Sequence, residues 1–481
     1  MIGRKPAIGA LAAASAVAAL AVGQVGAAAA PGDSGSPRYT QGSAGIGDPY
    51  FPLAGNGGID VTHYDLELHY TPPAPAPAPL EGTLDATATI SLTPTQDLDR
   101  FNLDLRGLTA TDVTVDGIPM EFTQDENELV ITPRPKLKTG RAVEVVVEYG
   151  GTTTRPTDIE GALYGWVTMR DGAMVANEPE GSSTWFPVND HPQDKATYEF
   201  DITVPDGLVA VANGILVDQQ TSDGWTTWSW DAPDQMAAYL ATASVGNYDL
   251  RTYSATNGVP IIDAVDKDLP ATADDGLEDQ GEMLVYFESL FGTYPFVSYG
   301  AIVDDDSIGY ALETQTRPIY SRRALESTVA HELGHQWFGN AVSPERWQDI
   351  WLNEGWATYL SWIWAEKDEE DGDDTTAQDQ FEDVMGIEED DPFWDVVIAD
   401  PGPTGLFVDP VYDRGAATLH ALRVKIGDTA FFELGREWVS RYDDSTATTE
   451  DFEALAEEVS GQDLDAFFDV WLHTGAKPTA W

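Results

Sequence analysis

Residues 331–335 of the chain read HELGH, and residues 351–359 read WLNEGWATY. Apolar residues recur at helical spacing through both segments, so each segment predicts a helix. In the first helix His331 and His335 are four residues apart, about one turn, and therefore project from the same face. Two imidazoles on one helical face can bind a single metal ion, and Glu332 lies next to the first of them, within reach of a water on that metal.

The second segment supplies a third metal ligand, Glu354, which is polar within an otherwise apolar run. Eighteen residues separate it from His335, and a break at residues 339–344 is long enough to reverse the chain. Two antiparallel helices would therefore bring Glu354 to the histidines. Two His and one Glu leave one position of a tetrahedral metal open, as in catalytic zinc sites. The chain has only seven histidines, so a chance arrangement of two in this frame is the less favoured interpretation.

Composition narrows the chemistry further. The 481 residues include no cysteine, which excludes a disulfide framework, a thiolate metal site and a cysteine nucleophile. Acidic residues outnumber basic ones 82 to 25, and a formal net charge of −57 repels nucleic acid and anionic lipid. We therefore expect no nucleic-acid partner. The charge is spread along the chain and is densest at residues 366–391. Clustered carboxylates there are suited to calcium, which is one interpretation, but the spacing matches no defined calcium loop, so a solvated acidic surface is the favoured one.

The first thirty residues have the layout of a secretory signal peptide. Arg4 and Lys5 precede an apolar run at residues 8–25 and a small-residue stretch at 26–30. A membrane anchor is the alternative, but this run is rich in Ala and Gly, and no later segment has the ~18 uninterrupted apolar residues of a membrane helix. We expect a secreted protein without a stable membrane anchor, with a signal peptide at 1–30 and a flexible lead-in at 31–58.

From residue 59 the apolar and polar residues alternate with a period of two. Residues 64–70, 84–90 and 142–149 alternate in this way, which predicts half-buried strands, and strand patterns continue to about residue 250. The Pro/Ala tract at 72–79 predicts a surface loop. From about residue 271 the apolar spacing becomes helical, at residues 281–291, 325–338, 350–364, 416–424 and 452–459, and residues 300–303 predict a strand among these helices. The sequence therefore predicts an α+β fold, with a β domain at 59–250 and a mainly helical domain, with one or two strands, at 251–481.

Four motifs together resemble the gluzincin metallopeptidases of the aminopeptidase N and leukotriene hydrolase family. HExxH with NEGxA eighteen residues later resembles that family's zinc site, and GYALET at 309–314 resembles its G-x-M-E-N exopeptidase motif. VYDRGAA at 411–417 resembles its Y-x-K/R-G segment, and WFPVNDHPQDKA at 185–196 resembles the F-P-x-x-D-x-P-x-x-K-A motif of its β domain. The resemblance runs from about residue 60 to the C-terminus. It implies a saddle-like β domain followed by a thermolysin-like catalytic domain that holds one zinc ion per chain.

The resemblance also implies roles for individual residues. Glu332 would be the general base that takes the proton of the zinc-activated water, and Tyr412 would stabilise the oxyanion. Glu313 matches the glutamate of the exopeptidase motif, which binds the α-ammonium group of a substrate. Two positions depart from that motif, because Tyr310 stands where the family has Gly and Thr314 where it has Asn.

Further positions support or modify this site. Ala176 stands where many relatives have a Gln that helps to bind the substrate amine, and Glu178 is a nearby substitute. Asp349 and Asn353 are the candidates to support the histidine ligands. We expect a secreted zinc aminopeptidase that hydrolyses the N-terminal bond of peptides with a free N-terminus. The alternatives are an endopeptidase or an epoxide hydrolase-like enzyme of the same fold, and a non-catalytic peptide-binding relative.

Overall fold

A computed structural model describes residues 39–304, 308–367 and 375–480. The predicted signal peptide, residues 1–30, and the first part of the predicted lead-in, residues 31–38, lie outside the described residues. Within the described ranges, no helix combines the length and the apolar character that crossing a bilayer requires.

Sixteen strands lie between residues 39 and 246, and in the long ones buried and exposed side chains alternate as the period-two pattern predicts. They are β1 (Thr40–Gln41), β2 (Ile59–Thr71), β3 (Gly82–Pro94), β4 (Leu98–Asp104), β5 (Thr109–Val115), β6 (Ile118–Pro119), β7 (Glu121–Asp125), β8 (Glu128–Thr132), β9 (Val143–Thr153), β10 (Gly165–Thr168), β11 (Ala173–Ala176), β12 (Lys195–Pro205), β13 (Val209–Ala212), β14 (Ile215–Ser222), β15 (Trp225–Ala237) and β16 (Ala243–Gly246).

The largest layer of this region is an eight-stranded sheet in the order β14-β15-β12-β2-β3-β9-β5-β6. One face of β2 contributes the buried side chains of Leu66 and Leu68 to the core, whereas Glu67, between them, is exposed. Two four-stranded sheets, β1-β4-β8-β7 and β10-β11-β16-β13, contact this sheet and complete the β region. The Pro/Ala tract lies in the connection between β2 and β3, as predicted.

Residues 39–58 belong to the fold, contrary to the flexible lead-in predicted for residues 31–58. Strand β1 pairs in parallel with β4, and Asn56 is fully buried. Asp48 is also buried, and its carboxylate accepts hydrogen bonds from three backbone N–H groups, including that of Trp347. The segment is fixed by backbone pairing and a buried carboxylate rather than by an apolar face, so its Gly-, Ser- and Pro-rich composition gives no periodic signal.

The region after residue 247 contains more strands than the one or two predicted. They are β17 (Tyr248–Ser254), β18 (Pro260–Asp266), β19 (Tyr299–Asp304), β20 (Ala311–Leu312), β21 (Ile319–Ser321), β22 (Val342–Pro344) and β23 (Ser445–Ala447).

Five of these strands form one sheet in the order β17-β18-β19-β21-β20, in which β18, β19 and β21 run parallel. Strand β19 covers the predicted strand at 300–303. The residues of β18 after Pro260 are all buried, so burial does not alternate along this strand, and the prediction missed it and the extent of the sheet. The predicted boundary at 250/251 falls inside β17, the edge strand of this sheet.

Eight helices are described after residue 279. They are α1 (Gln280–Phe291), α2 (Glu326–Gly334), α3 (Trp351–Lys367), α4 (Ala377–Gly386), α5 (Asp409–Ile426), α6 (Asp428–Tyr442), α7 (Thr449–Ser460) and α8 (Asp465–Trp471). The helical spacing predicted α1, α2, α3, α5 and α7, while α4, α6 and α8 were not predicted. The α+β class, with a β-rich region followed by a mainly helical one, is confirmed.

Two glycines let α3 and α5 approach closely. A Cβ atom on Gly355 of α3 would lie 2.9 Å from the Cα atom of Gly415 on α5, so a side chain at either position would push the helices apart. Gly355 directly follows Glu354, and Tyr412 is one turn before Gly415. The contact between the two glycines therefore places Glu354, the third predicted metal ligand, near Tyr412, the predicted oxyanion donor.

Candidate metal centre

The three predicted metal ligands converge at one point. Nε2 of His335 lies 3.1 Å from Nε2 of His331, and Oε2 of Glu354 lies 3.2 Å and 3.4 Å from the ring nitrogens of His331 and His335. His331 comes from α2, His335 follows its last residue, and Glu354 comes from α3. His335 and Glu354 are buried, while 17 % of the His331 side chain is exposed to the cavity.

The charges of the groups around His331, His335 and Glu354 favour the binding of a cation between them. Burial lowers the pKa of His335, but the carboxylates of Glu313 and Glu354 outweigh burial and raise it to about 10. Burial raises the pKa of Glu354, but the two histidines outweigh it and lower it to about 2. Two imidazole nitrogens and one ionised carboxylate oxygen, facing each other at these distances, are a donor set that fits zinc.

The histidine ligands are supported by groups other than those predicted. Nδ1 of His335 lies 3.2 Å from the carbonyl oxygen of Phe338, and Nδ1 of His331 lies 3.4 Å from Oγ1 of Thr358. Asp349 instead accepts hydrogen bonds from the backbone N–H and the hydroxyl of Thr449, and the Asn353 amide donates to a tyrosine hydroxyl. Thr358 is four residues after Glu354 on α3, so helical spacing was the signal that could have identified it.

Glu332 lies beside the metal ligands without being one of the three. A carboxylate oxygen of Glu332, one of Glu313 and a ring nitrogen of His335 lie within 4.8 Å of one another. The side chain is buried, and burial raises the pKa of Glu332 well above its ordinary value. A carboxyl group with a raised pKa is suited to accept and return a proton near neutral pH.

Tyr412 faces the metal ligands from α5. Its ring stacks on that of His331, with centroids 6.0 Å apart and an angle of 25° between the planes. Two residues later, the buried guanidinium of Arg414 donates to the backbone carbonyl oxygens of residues 394, 396, 470, 471 and 474. These bonds tie the first turns of α5 to two neighbouring segments and so hold the tyrosine in place, a role that the sequence motif did not indicate.

Two further glutamates, Glu178 and Glu313, lie close to Glu354. Carboxylate oxygens of Glu178, Glu313 and Glu354 lie within 4.8 Å of one another. Only 2 % of Glu313 is exposed, and its Oε1 atom has no hydrogen-bond partner among the described residues. Burial and the neighbouring Glu313 raise the pKa of Glu178 well above its ordinary value. Ala176 is buried within β11 and offers no polar group, so Glu178 is the residue of this segment that reaches the site.

The two departures in the exopeptidase-like motif have local structural explanations. The hydroxyl of Tyr310 donates to the backbone carbonyl oxygen of Leu163 at 2.6 Å, which fixes the ring at the edge of the cavity against the β region. The hydroxyl of Thr314 donates to the carbonyl oxygen of Arg317.

Three side chains of the β region contact the segment that follows α2. Nζ of Lys195 donates to the carbonyl oxygens of residues 340 and 341 at 2.9 Å, and Nε2 of Gln193 donates to that of residue 345 at 2.8 Å. The hydroxyl of Tyr239 donates to the carbonyl oxygen of Gly339 and accepts from the Asn353 amide. The motif at 185–196 therefore helps to hold the backbone directly after His335.

The predicted metal ligands, Glu332, Tyr412 and the two glutamates line one cavity of about 380 Å³, and most of the side chains that line it are polar or charged. The lining residues are Glu178, Tyr310, Ala311, Glu313, Ser327, Thr328, His331, Glu332, His335, Glu354, Ser361 and Tyr412.

Two family models match the chain, the Peptidase M1 N-terminal domain over residues 61–240 and the Peptidase family M1 domain over residues 301–471. Glutamyl aminopeptidase of Sus scrofa is 25% identical, and the match covers 87% of this chain and 48% of that protein. The chain thus spans about half the length of this curated relative, and less of others.

Solved structures match over nearly the whole of their length. The crystal structure of an M1 zinc metallopeptidase from Deinococcus radiodurans is 29% identical with a TM-score of 0.80, covering 89% of this chain and 96% of that chain. A glutamate-to-alanine mutant of an M1 zinc metallopeptidase from the same organism, bound to a Tyr-Ser-Ala substrate, is 28% identical with a TM-score of 0.81, covering 91% of this chain and 99% of that chain.

Proposed function

The chain belongs to peptidase family M1, and we propose that it is a secreted zinc aminopeptidase that removes the N-terminal residue of peptides. The family implies one catalytic zinc ion as the cofactor. One observation carries the proposal: a candidate three-ligand metal centre shares one cavity with two glutamates, the half-buried Glu178 and the buried Glu313. Secretion rests on the signal-peptide pattern of residues 1–30.

His331, His335 and Glu354 would hold the metal. Bound there, zinc supplies a Lewis acid that lowers the pKa of a water molecule and polarises the scissile carbonyl group. Glu332, beside these ligands, accepts a proton from the attacking water and then passes it to the leaving amine. The hydroxyl of Tyr412 donates a hydrogen bond to the oxyanion that forms on the substrate carbonyl.

Glu178 and Glu313 determine which bond is cut. A free N-terminus is a cation at neutral pH. Carboxylate oxygens of Glu178 and Glu313 lie within 4.8 Å of each other, and Oε1 of Glu313 has no hydrogen-bond partner among the described residues, so the pair favours binding the ammonium group by charge-assisted hydrogen bonds. Anchoring the ammonium group there places the first peptide bond at the metal. An internal peptide bond would bring no ammonium group to offset these charges, so this pair favours an exopeptidase over an endopeptidase.

The test compares aminoacyl anilides with their N-acetylated forms, with and without a zinc chelator. We expect turnover of the free-amine substrates, its loss on chelation and its recovery on adding zinc. Acetylation removes the cation that the glutamate pair binds, so acetylated substrates should be poor. Equal rates on free and acetylated substrates would contradict the aminopeptidase proposal and favour the endopeptidase. Full activity in a zinc-free sample would contradict the metal mechanism.

A further inference from the structure

We propose that the chain prefers peptides whose first residue has a cationic side chain, arginine or lysine, and that the ring of Tyr310 and the carboxylate of Glu178 select that side chain. The inference rests on the proposed aminopeptidase activity and names its substrate class. Both residues line the cavity of the metal centre. Tyr310 stands where the exopeptidase motif has a glycine, so this chain places an aromatic ring where the motif has no side chain.

The charged groups that line this cavity are unfavourable for an acidic side chain. They include four carboxyl groups, and the described residues of the lining include no lysine or arginine. A zinc ion and the ammonium group of a substrate supply fewer positive charges than these four groups can carry negative ones. A carboxylate on the first residue of a substrate would therefore enter the cavity without a cationic partner, which is unfavourable away from water. We expect Asp and Glu to be poor first residues.

The ring of Tyr310 lies near carboxylates and away from the metal ligands. Burial raises the pKa of Tyr310, and the charges of Glu178 and Asp158 add to the increase, while no metal ligand contributes to it. The Oε1 atom of Glu178 has no hydrogen-bond partner among the described residues. An aromatic face and a carboxylate oxygen with free acceptor capacity are the two features that recognise a guanidinium or ammonium group.

Hydrogen bonds outside the cavity hold the ring and Glu178 in place. The hydroxyl of Tyr310 donates to the carbonyl oxygen of Leu163 at 2.6 Å. The hydroxyl of Tyr164, the next residue, donates to the carboxylate of Glu180 at 3.1 Å, two residues after Glu178. The ring and Glu178 are thus tied to the same short segment of the β region, so the space between them is formed before a substrate binds and little ordering is needed on binding.

The ring by itself would also accept a large apolar side chain. Arginine and lysine differ from leucine in using both features, because their apolar stems can pack on the ring while the charged end reaches a carboxylate. The comparison of a cationic with an apolar first residue therefore isolates the contribution of charge.

The test measures kcat/KM of the full-length, zinc-loaded protein on the anilides of arginine, leucine, alanine and glutamate. Calorimetry measures the affinities of the four free amino acids. Tyr310→Ala removes the ring, and Tyr310→Phe keeps the ring without the bond to Leu163. Glu178→Gln removes one charge, and Tyr39→Ala is the control, because Tyr39 packs beside Lys136 and Lys138 and does not line the cavity.

Wild type should prefer the arginine anilide over the leucine anilide by about tenfold and should cleave the glutamate anilide least. Tyr310→Ala should lower the arginine-to-leucine ratio by about 3- to 30-fold, mainly through KM, which is the contribution typical of a cation on an aromatic face. Glu178→Gln should also lower this ratio, since both substrates have the same α-ammonium group. Tyr310→Phe and the control should retain most of it, and arginine should be the free amino acid that binds most tightly.

Equal cleavage of the arginine and leucine anilides by wild type would overturn the proposal. An unchanged ratio in Tyr310→Ala, or a glutamate anilide cleaved as fast as that of arginine, would overturn it as well. If Tyr310→Ala fails to fold, Tyr310→Leu removes the aromatic face with less loss of volume and should lower the ratio in the same way. Failure of all four anilides with zinc bound would contradict the aminopeptidase activity itself, and the amino-acid affinities would then decide whether the cavity selects a cationic side chain.

Discussion

Two cavities of this chain concentrate buried carboxylates, and they differ in the groups that surround those carboxylates. The cavity of the metal centre combines Glu178, Glu313, Glu332 and Glu354 with two imidazoles and the Tyr412 phenol. The cavity of the β region combines Asp104, Glu128 and Asp190 with a single guanidinium, that of Arg106, which pairs with Glu180 in the same lining. The first contains chemical groups that are able to bind a metal, exchange protons and donate a hydrogen bond, whereas the second is dominated by hydrogen-bond acceptors. Negative charge alone is therefore a poor sign of catalysis; the mixture of chemical types distinguishes the two.

A third acidic region shows that size and charge together are also insufficient. The groove on the eight-stranded sheet has a volume of about 470 Å³, larger than both cavities, and Glu67 and Asp201 lie side by side in neighbouring strands there. These side chains are exposed, so water solvates their charges and no ligand is needed to offset them. Burial of the carboxylates, rather than their number, makes a counter-charge necessary in the two cavities.

The largest effect in this comparison should come from His335→Ala. Removing one of three ligands should abolish both stoichiometric zinc binding and turnover, because the two remaining ligands hold the ion weakly. Zinc content by atomic absorption and anilide hydrolysis measure the two losses. His473→Ala, at an exposed histidine outside both cavities, is the control and should retain both properties. Stoichiometric zinc in the His335 variant would refute the ligand assignment.

A loss of turnover with the metal retained should follow from Glu332→Gln. The amide keeps the size of the side chain but accepts no proton, and general base catalysis contributes about 10²- to 10⁴-fold to a rate. Zinc content should equal that of wild type. A zinc-loaded variant with normal turnover would show that another group takes the proton.

The contrast between the two cavities also explains what the sequence could and could not predict. His331, His335 and Glu354 lie within 24 consecutive residues on two neighbouring helical segments, so spacing alone placed them together. Asp104, Glu128 and Asp190 belong to three separate segments, and their meeting depends on strand register and on the path of the chain between sheets. No local pattern reports such a cluster.

The same limit applies to the fold. Long half-buried strands such as β2 were predictable, because alternation is a local property. The almost fully buried strand β18 was not, and neither was the contact of Asp48 with Trp347, residues 299 positions apart. The close approach of Gly355 to Gly415 likewise depends on how two helices cross. Sequence patterns therefore predicted many of the elements and proposed the three metal ligands, while the contacts that support those residues required tertiary structure.

An intermediate effect should follow from Tyr412→Phe. The change removes one hydroxyl and little volume, so the stacking on His331 should persist. Loss of one oxyanion donor typically lowers the catalytic rate by about 100- to 1000-fold. Steady-state kinetics should show the loss in kcat. A rise in KM with unchanged kcat would instead make the tyrosine a contact of the bound substrate before reaction.

A smaller and more selective effect should follow from Glu313→Ala. Free-amine substrates should lose the contribution of one charge-assisted contact, on the order of 1.5–3 kcal/mol in transition-state binding. N-acetylated substrates, which lack the cation, should lose much less. The ratio of kcat/KM for the two substrate types measures this selectivity. Equal losses on both would show that Glu313 does not bind the amine.

The smallest effect on turnover, and one confined to stability, should come from Asp190→Asn in the β region. Burial raises the pKa of Asp190 from 3.8 to about 7, with Glu180 adding to the increase. A carboxyl group whose pKa is raised in the folded state stabilises the fold fully below its unfolded pKa, and this contribution is lost as the pH rises through the folded value. Wild type should therefore lose stability between about pH 4 and pH 7 relative to the variant, by on the order of 4 kcal/mol at most. The asparagine keeps an oxygen for the Ser183 N–H and has no charge to ionise, so the stability of the variant should depend less on pH.

Urea unfolding of both proteins across this pH range measures the difference in their free energies of unfolding, and anilide turnover is the control for the metal centre. A stability difference that stays constant with pH would mean that Asp190 ionises freely in the folded protein, and the two cavities would then differ less than their structures indicate.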